Sequence, residues 1–507
     1  MNRSSRVGPW RGLEGFMPLV LGVVAASQLA CTRSAAIRPA PRLVLMYATC
    51  SVNKNYLAAY NPRISYTPNI REFARSARVF ARAQTESAQS GIAFAALWTG
   101  TQAMRHGIYA HPEILAATNR TIAEAYTQHG YATYFWDTHG MVAAELGYGQ
   151  GVESNHVIGH MLKADDPRFV SLLAKLKSDP QSLAFVMTNH SVTHGPYGTD
   201  RVESFCAQYP QECCGVNPDE IARFGRPYHE NYLDLSFNYQ ETVARLRLSP
   251  DEAQKLISVI ELVYKSRINY LDDLFGNVIK AISDAGLLDQ SLIVLTSDHG
   301  EILYQKNAPL KWTHFTLSPD ELSVPLIIRG PGITPGTHEE VTRSIDVLPT
   351  LAGLMGFRLP RGSVMGVDLS PSLRLGRAEP VLVAYSHTSL VPKPVLEASK
   401  TWTLFHRLFP DFNIDGVWVA SREGDTAYKL RWLDGRDAAP EVYDWAADPA
   451  ETRNLFDPAN RHHREMVEKL RAYKVELKRG FLQSRQGRSS LSDKERIERL
   501  RSLGYIN

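Results

Sequence analysis

A chain of 507 residues is too long for one simple core, so two domains are expected. With 44% hydrophobic, 21% charged and 9% aromatic residues, its composition is that of an ordinary globular protein, neither fibrous nor disordered. A formal charge of +3 over this length is close to neutral and offers nothing to a nucleic acid, so no such partner is expected.

The chain opens differently from the rest. Arg3, Arg6 and Arg11 precede the apolar stretch FMPLVLGVVAASQLA (16–30), which ends in small residues before Cys31. A basic start, a short apolar run and small residues describe an export signal over 1–31. The run is too short for a comfortable membrane span. Cys31 after Leu29 and Ala30 resembles a bacterial lipoprotein cleavage site, with Gln28 and Glu14 departing from that pattern. Lipoprotein, secreted protein and uncleaved anchor all remain open. In each, the protein is extracytoplasmic, periplasmic or a membrane-anchored lipoprotein, with membrane contact only through this segment. Residues 32–41 read as a flexible linker.

From there strands and helices alternate. RLVLMYATC (42–50) is a first strand, and FARSARVFARAQ (73–84) a helix and then a strand. GIAFAALWTG (91–100) is a helix ended by Gly100, and TIAEAYTQHGYATYFWD (121–137) a helix, a glycine and a strand. SLAFVMTNH (182–190) is another strand. Cys206, Cys213 and Cys214 cluster in the following stretch, where one disulfide is expected. The segment 198–250 reads as an inserted loop. A long amphipathic helix from 268 feeds the strand LIVLTSDHGE (292–301), which is apolar enough to be buried on both faces. VPLIIRGPG (324–332) is a strand with a turn, and SIDVLPTLAGLMG (344–356) a helix capped by Gly356. This alternation predicts a doubly wound, mostly parallel α/β sheet over 42–375. A smaller C-terminal α+β domain follows over 376–480, with a hairpin turning at Gly424-Asp425, and then a polar tail with a short helix over 481–507.

Several stretches together resemble the sulfatase family of the alkaline phosphatase superfamily. They are GLLDQSLIVLTSDHGE (286–301), YTPNIREFARSARVF (66–80), THGPY (193–197), VPLIIRGPG, SIDVLPTLAGLMG and EVYDWAADPAETRNL (441–455), in the family's order across roughly 42–456. The resemblance implies a large alkaline phosphatase-like domain carrying the site, with a small C-terminal sheet domain. It also implies in-line attack on the sulfur or phosphorus of an ester, with a divalent metal neutralising the developing charge.

The site residues follow from that resemblance. Counting back from Thr99-Gly100 puts Ser90 at the nucleophile position, where a helix N-terminus favours an anion. Ile92 and Phe94 stand where the formylglycine signature has proline and arginine, which leaves conversion of Ser90 in doubt. A helix N-cap serine is the plain reading of the same residue. Asp298 and His299 match metal ligands beyond the carboxyl end of a strand. Cys50 falls at the metal aspartate, Asn53 at an arginine and Asn55 at a second aspartate. Calcium is expected if the site is sulfatase-like and zinc if Cys50 is a ligand; a small buried Cys50 in a degraded site is the alternative. His194 matches the sulfate-contacting histidine, and His314 with Lys311 lies where a lysine is usual. His139 is one position out of register with another family histidine. His190 and His387 read as structural, and Asp346 as a helix-start residue. The expected function is a hydrolase of sulfate esters on an extracytoplasmic substrate. The alternatives are a phosphoester or phosphonate hydrolase or transferase using unmodified Ser90, and a non-catalytic surface-anchored binding protein. The expected partner is a sulfated or phosphorylated ester.

Overall fold

The computed structural model describes residues 40–213, 215–305, 310–376, 381–389, 417–430, 432–433, 436–437, 439–484 and 491–502. The expected export signal, Cys31 and Cys214 lie outside the described residues.

Eight strands form the main sheet: β1 (Leu43–Thr49), β2 (Arg78–Gln84), β3 (Ala132–Trp136), β4 (Val157–Ile158), β5 (Ala184–Thr188), β6 (Ser291–Ser297), β7 (Leu326–Arg329) and β8 (Gly336–Arg343). Their order is β4-β3-β5-β1-β6-β7-β2-β8. All pair in parallel except β7, which runs against both β6 and β2. The sheet is therefore mostly parallel, as its apolar strands imply. Strand β1 shows why. Leu43, Leu45 and Tyr47 enter one core cluster, while Val44, Met46 and Ala48 enter another on the opposite face. A strand covered on both sides cannot alternate apolar with polar residues, so it reads as a continuous apolar run.

One face is covered by the helix Pro250–Asp284, 35 residues long and opened by a capping box between Ser249 and Glu252. Its start corrects the expected boundary at 268. The expected loop over 198–250 is also corrected: it folds into helices Val202–Gln208, Pro218–Glu230, Tyr232–Phe237 and Tyr239–Arg245. Phe205, Phe224 and Tyr228 from this segment are buried in the same core as the long helix. A disulfide joins Cys206 and Cys213 at the segment's beginning.

Asp272 on the long helix fastens its neighbour. Its carboxylate accepts the backbone N–H groups of Asn69 (3.0 Å) and Ile70 (2.7 Å) in the first turn of helix Pro68–Arg75. Burial pushes this carboxyl up to about 7, against the pull of those bonds. Asp272→Ala strands these buried donors and should cost about 2–4 kcal/mol in urea unfolding. Because the folded pKa lies above the unfolded one, the stability tied to Asp272 is complete at low pH and is lost as pH rises towards 7. The measured cost should accordingly be larger at pH 5 than at pH 8.

The smaller sheet is antiparallel. Strand Val419–Glu423 pairs with Ala384–His387 on one side and with Thr426–Leu430 on the other, and the latter pairs with Glu441–Asp444. Gly424 makes the expected hairpin turn with φ 58°, a conformation that suits glycine. Helix Arg461–Ser484 packs Met466, Leu470 and Leu477 into the core beside this sheet.

Candidate active site

Strands β1 and β6 pair with Thr49 opposite Ser297. The residues that follow, Cys50 and Asp298, therefore emerge side by side at the carboxyl ends of two central strands, where open α/β sheets bind ligands. The turn beyond β6 is tight. A Cβ on Gly300 would stand 1.9 Å from the Asp320 carbonyl oxygen, so the backbone passes there only as glycine. Ser90 arrives from another direction, as the first residue of helix Ser90–Thr99, every residue of which is buried. The Gln89 side chain makes no capping bond, which leaves the first-turn amides to an anion.

Four side chains converge at this point. Ser90 Oγ lies 3.3 Å from His299 Nε2 and 3.6 Å from Cys50 Sγ, and Cys50 Sγ lies 3.8 Å from His299 Nε2. Asp298 directs Oδ1 to the backbone N–H groups of His299 (2.6 Å) and Ser51 (3.2 Å). Its other oxygen, Oδ2, is buried without a hydrogen-bond partner, 3.5 Å from His299 Nε2.

The protonation of the histidines follows from what each touches. His299 Nδ1 is 2.8 Å from the Gly300 carbonyl oxygen, which can only accept, so the ring hydrogen sits on Nδ1 and Nε2 presents a lone pair. Burial pushes His299 down to about 4, and Asp298 only partly restores it. The ring is neutral at pH 7, so its approach to Asp298 is not an ion pair. His194 likewise gives its Nδ1 hydrogen to the Gly195 carbonyl (2.6 Å). His139 has the opposite tautomer. Its Nδ1 accepts from Met141 N–H (3.3 Å), so Nε2 carries a hydrogen, buried and without a partner. His314 Nδ1 meets Glu301 Oε2 at 3.1 Å, and Glu301 Oε1 accepts from the Tyr197 hydroxyl at 2.7 Å. Burial pushes Glu301 up to about 7, and lowers His194 and His314 while it raises Cys50.

The structure thus brings together Ser90, Cys50, Asp298, His299, His194 and His314. Donor atoms of Cys50, Asp298 and His299 all lie within 4.8 Å of one another, and so do those of Cys50, His139 and His194. Lys311 is buried close by in sequence, with its ammonium 5.3 Å from the centre of the Tyr304 ring. Asn53 and Asn55 turn away from the cluster: Asn53 Nδ2 bonds the Glu301 carbonyl (3.0 Å), and the exposed Asn55 reaches Asp320 (3.4 Å). Where the formylglycine signature has an arginine, Phe94 packs its ring on Trp98 at 4.9 Å and lies 6.3 Å from His139.

His139, Glu301 and Tyr197 belong to the site although sequence reasoning passed over them or left them out of register. Only Glu301 carried a signal, as the carboxylate right after the Asp-His-Gly turn. His190 is structural, accepting from Leu162 N–H at Nε2 (3.0 Å). Asp346 stands at the start of helix Val347–Met355, its carboxylate held by Arg343 and the Val367 N–H.

The donor set can be tested against the metal that the resemblance implies. Calcium takes six to eight oxygen ligands and relies on carboxylate charge. Here Asp298 is the one carboxylate with an uncommitted oxygen, beside a sulfur and an imidazole. A divalent ion that accepts mixed sulfur, nitrogen and oxygen ligands fits these residues better.

The sequence profile of the Sulfatase family matches residues 48–357. Choline-sulfatase of Rhizobium meliloti (strain 1021) is 32% identical over 269 residues, covering 52% of this chain and 44% of that enzyme. The chain spans less than half the length of the first curated relatives it matches. A solved structure of a protein in complex with its substrate D-glucosamine-2-N,6-O-disulfate shares the fold with TM-score 0.63 and 18% identity, over 87% of this chain and 98% of the other. So does the phosphonate monoester hydrolase of Agrobacterium radiobacter, with TM-score 0.61 and 18% identity, over 86% of this chain and 96% of the other. At these identities the two structures speak for the fold alone. The family match, covering well over half of the chain and the whole strand-end cluster, leads to one conclusion: the chain belongs to the sulfatase family of the alkaline phosphatase superfamily.

Proposed function

We propose that the protein hydrolyses sulfate monoesters, with Ser90 at the point of attack. One observation carries this reading: Ser90 Oγ stands at an uncapped helix N-terminus, 3.3 Å from the His299 lone pair, among the buried residues at the strand ends. The parts support the chemistry as follows. First-turn amides and the unpartnered His139 Nε2–H bind the oxygens of the anionic group. Ser90 Oγ forms the new bond to sulfur, and its proton passes to His194, whose Nδ1 hydrogen is committed to Gly195. The bond from sulfur to the ester oxygen breaks. The proton that His194 took from Ser90 passes to the departing oxygen, while His314 is held in place through Nδ1 by Glu301. Water then attacks the sulfur, the bond from sulfur to Ser90 Oγ breaks, and a proton from the water returns to Oγ as hydrogen sulfate leaves. Cys50, Asp298 and His299 would hold a divalent cation, which when bound offsets the negative charge that develops in the transition state.

A second reading, hydrolysis of phosphonate or phosphate esters by unmodified Ser90, is favoured by Phe94. Its buried aromatic ring takes the place of the signature arginine and completes the core instead. Export outside the cytoplasm belongs to both readings, supported by the basic-apolar segment 1–31 and by the Cys206–Cys213 disulfide, which suits an oxidising compartment.

Protein purified from the extracytoplasmic fraction should turn over chromogenic aryl sulfates. Intact-mass measurement of the peptide containing Ser90 distinguishes the readings. An unmodified serine with turnover of aryl sulfates gives the first reading as written, and loss of two hydrogens moves the attack to the hydrate of a formylglycine at the same position. An unmodified serine together with faster turnover of phosphonate esters gives the second reading. No turnover of any of the three ester classes by folded, metal-supplied protein would overturn both.

A further inference from the structure

We propose that Cys50, Asp298 and His299 form a site for a thiophilic divalent cation of the zinc class, in place of calcium. The inference deepens the reading of the same cleft and rests on that placement, but it concerns binding and is tested by binding.

Three observations support it. The first is span. Zinc bonded to sulfur at about 2.3 Å, and to nitrogen and oxygen at about 2.0–2.2 Å, sets tetrahedral ligand atoms roughly 3.4–3.6 Å apart. Cys50 Sγ and His299 Nε2 are 3.8 Å apart, and His299 Nε2 and Asp298 Oδ2 are 3.5 Å apart. The second is the absence of a hydrogen between two of these atoms. His299 spends its ring hydrogen on the Gly300 carbonyl, so Nε2 faces Asp298 Oδ2 as one lone pair against another. A cation placed between these two buried atoms would satisfy both at once, whereas the Cys50 thiol hydrogen can serve only the carboxylate. Asp298 is 1% exposed and His299 fully buried, so bulk solvent does not reach the pair.

The third is the state of the neighbouring oxygens. Calcium would need several more anionic oxygens, and the nearby ones are committed. Glu301 gives both oxygens to Tyr197 and His314. Asn53 is bonded to the Glu301 carbonyl and accepts from Asn55 N–H. The three donors that face one another here are one sulfur, one nitrogen and one oxygen, with Ser90 Oγ adjacent to the sulfur and the nitrogen, and the His194 ring on the other side of the sulfur. Three protein ligands and an open fourth position mark a catalytic rather than a structural zinc site. On binding, Cys50 ligates as thiolate and its proton passes to solvent.

The full-length protein, stripped with chelator, is titrated with zinc, calcium and cobalt(II) salts in turn. One equivalent of zinc should bind at least about 100-fold more tightly than calcium. The cobalt adduct should show a near-ultraviolet sulfur-to-cobalt charge-transfer band. Cys50→Ser, with Cys50→Ala as a second variant should the first fail to fold, should lose that band and most of the zinc preference. Calcium bound more tightly than zinc, no binding of either ion, or a cobalt spectrum unchanged in the folded variant would overturn the proposal. The ester assays are read separately. A zinc-loaded protein that cleaves no ester removes the hydrolase reading and keeps the site, whereas an active protein that takes only calcium does the reverse.

Discussion

Replacing Ser90 by alanine is expected to abolish ester turnover while leaving the fold almost untouched. Ser90 is 1% exposed, and its hydroxyl touches only Cys50 Sγ and His299 Nε2 among the hydrogen-bonding contacts of the cluster. It caps no helix, because the N-cap position belongs to Gln89. Removing one hydroxyl from such a place should change stability by about 1 kcal/mol or less. Loss of the attacking oxygen should lower kcat by about 10³-fold or more, since the rest of the site can only bind and polarise the ester. Initial rates with an aryl ester, together with thermal unfolding of the same preparation, check both halves. An active Ser90→Ala protein would show that attack comes from elsewhere in the cleft.

Asp298→Asn separates activity from stability in the opposite sense. An asparagine keeps the shape and one acceptor for the His299 and Ser51 N–H groups that now bond Oδ1. It removes a buried charge whose other oxygen has no hydrogen-bond partner. In chelator-treated protein the variant should therefore be more stable than the parent, by about 1–2 kcal/mol. Its esterase activity should fall by about 10²–10³-fold, because the group that would balance a cation is gone. Calorimetry and rate measurements on both proteins suffice. A variant that is both less stable and fully active would mean that the carboxylate serves the backbone alone.

Much of the architecture could be read from residue order because buried parallel strands announce themselves. The runs at 43–49 and 291–297 have to be apolar throughout, being covered on both faces. The segment 198–250 hid its helices for the converse reason. It lies over one face of the core, so Phe205, Phe224 and Tyr228 are spaced among polar residues that look like loop. Strand β8 was missed as well: it is at the sheet edge, with Gly336, Thr337, Glu339 and Glu340 exposed. In the site, Ser90, Asp298 and His299 were legible because strand ends and helix starts fix where they point. His139 was not. It comes from a short turn after β3, and only the backbone around Met141 decides that its ring hydrogen faces inward. Nor does the order of residues disclose that Asn53 and Asn55, aligned with charged positions, are drawn off to Glu301 and Asp320.

One oxygen of the long helix Pro250–Asp284 is bonded on both sides beside Cys50. The Tyr264 hydroxyl accepts from Asn53 N–H and donates to the Ser51 carbonyl, each at 2.9 Å, and so brackets the chain just after Cys50. Some eight residues further along, the same helix holds Asn69 and Ile70 through Asp272. At 1.5 Å per residue it is a beam of about 50 Å. Its first half carries the helical insertion and its second half anchors helix Pro68–Arg75. The insertion also meets the cleft directly, because the Tyr228 hydroxyl accepts from Tyr197 N–H (3.0 Å), so a change in the insertion is felt at Tyr197. The beam leaves the cleft no private melting point: heat that loosens it releases the backbone around Cys50 together with everything else.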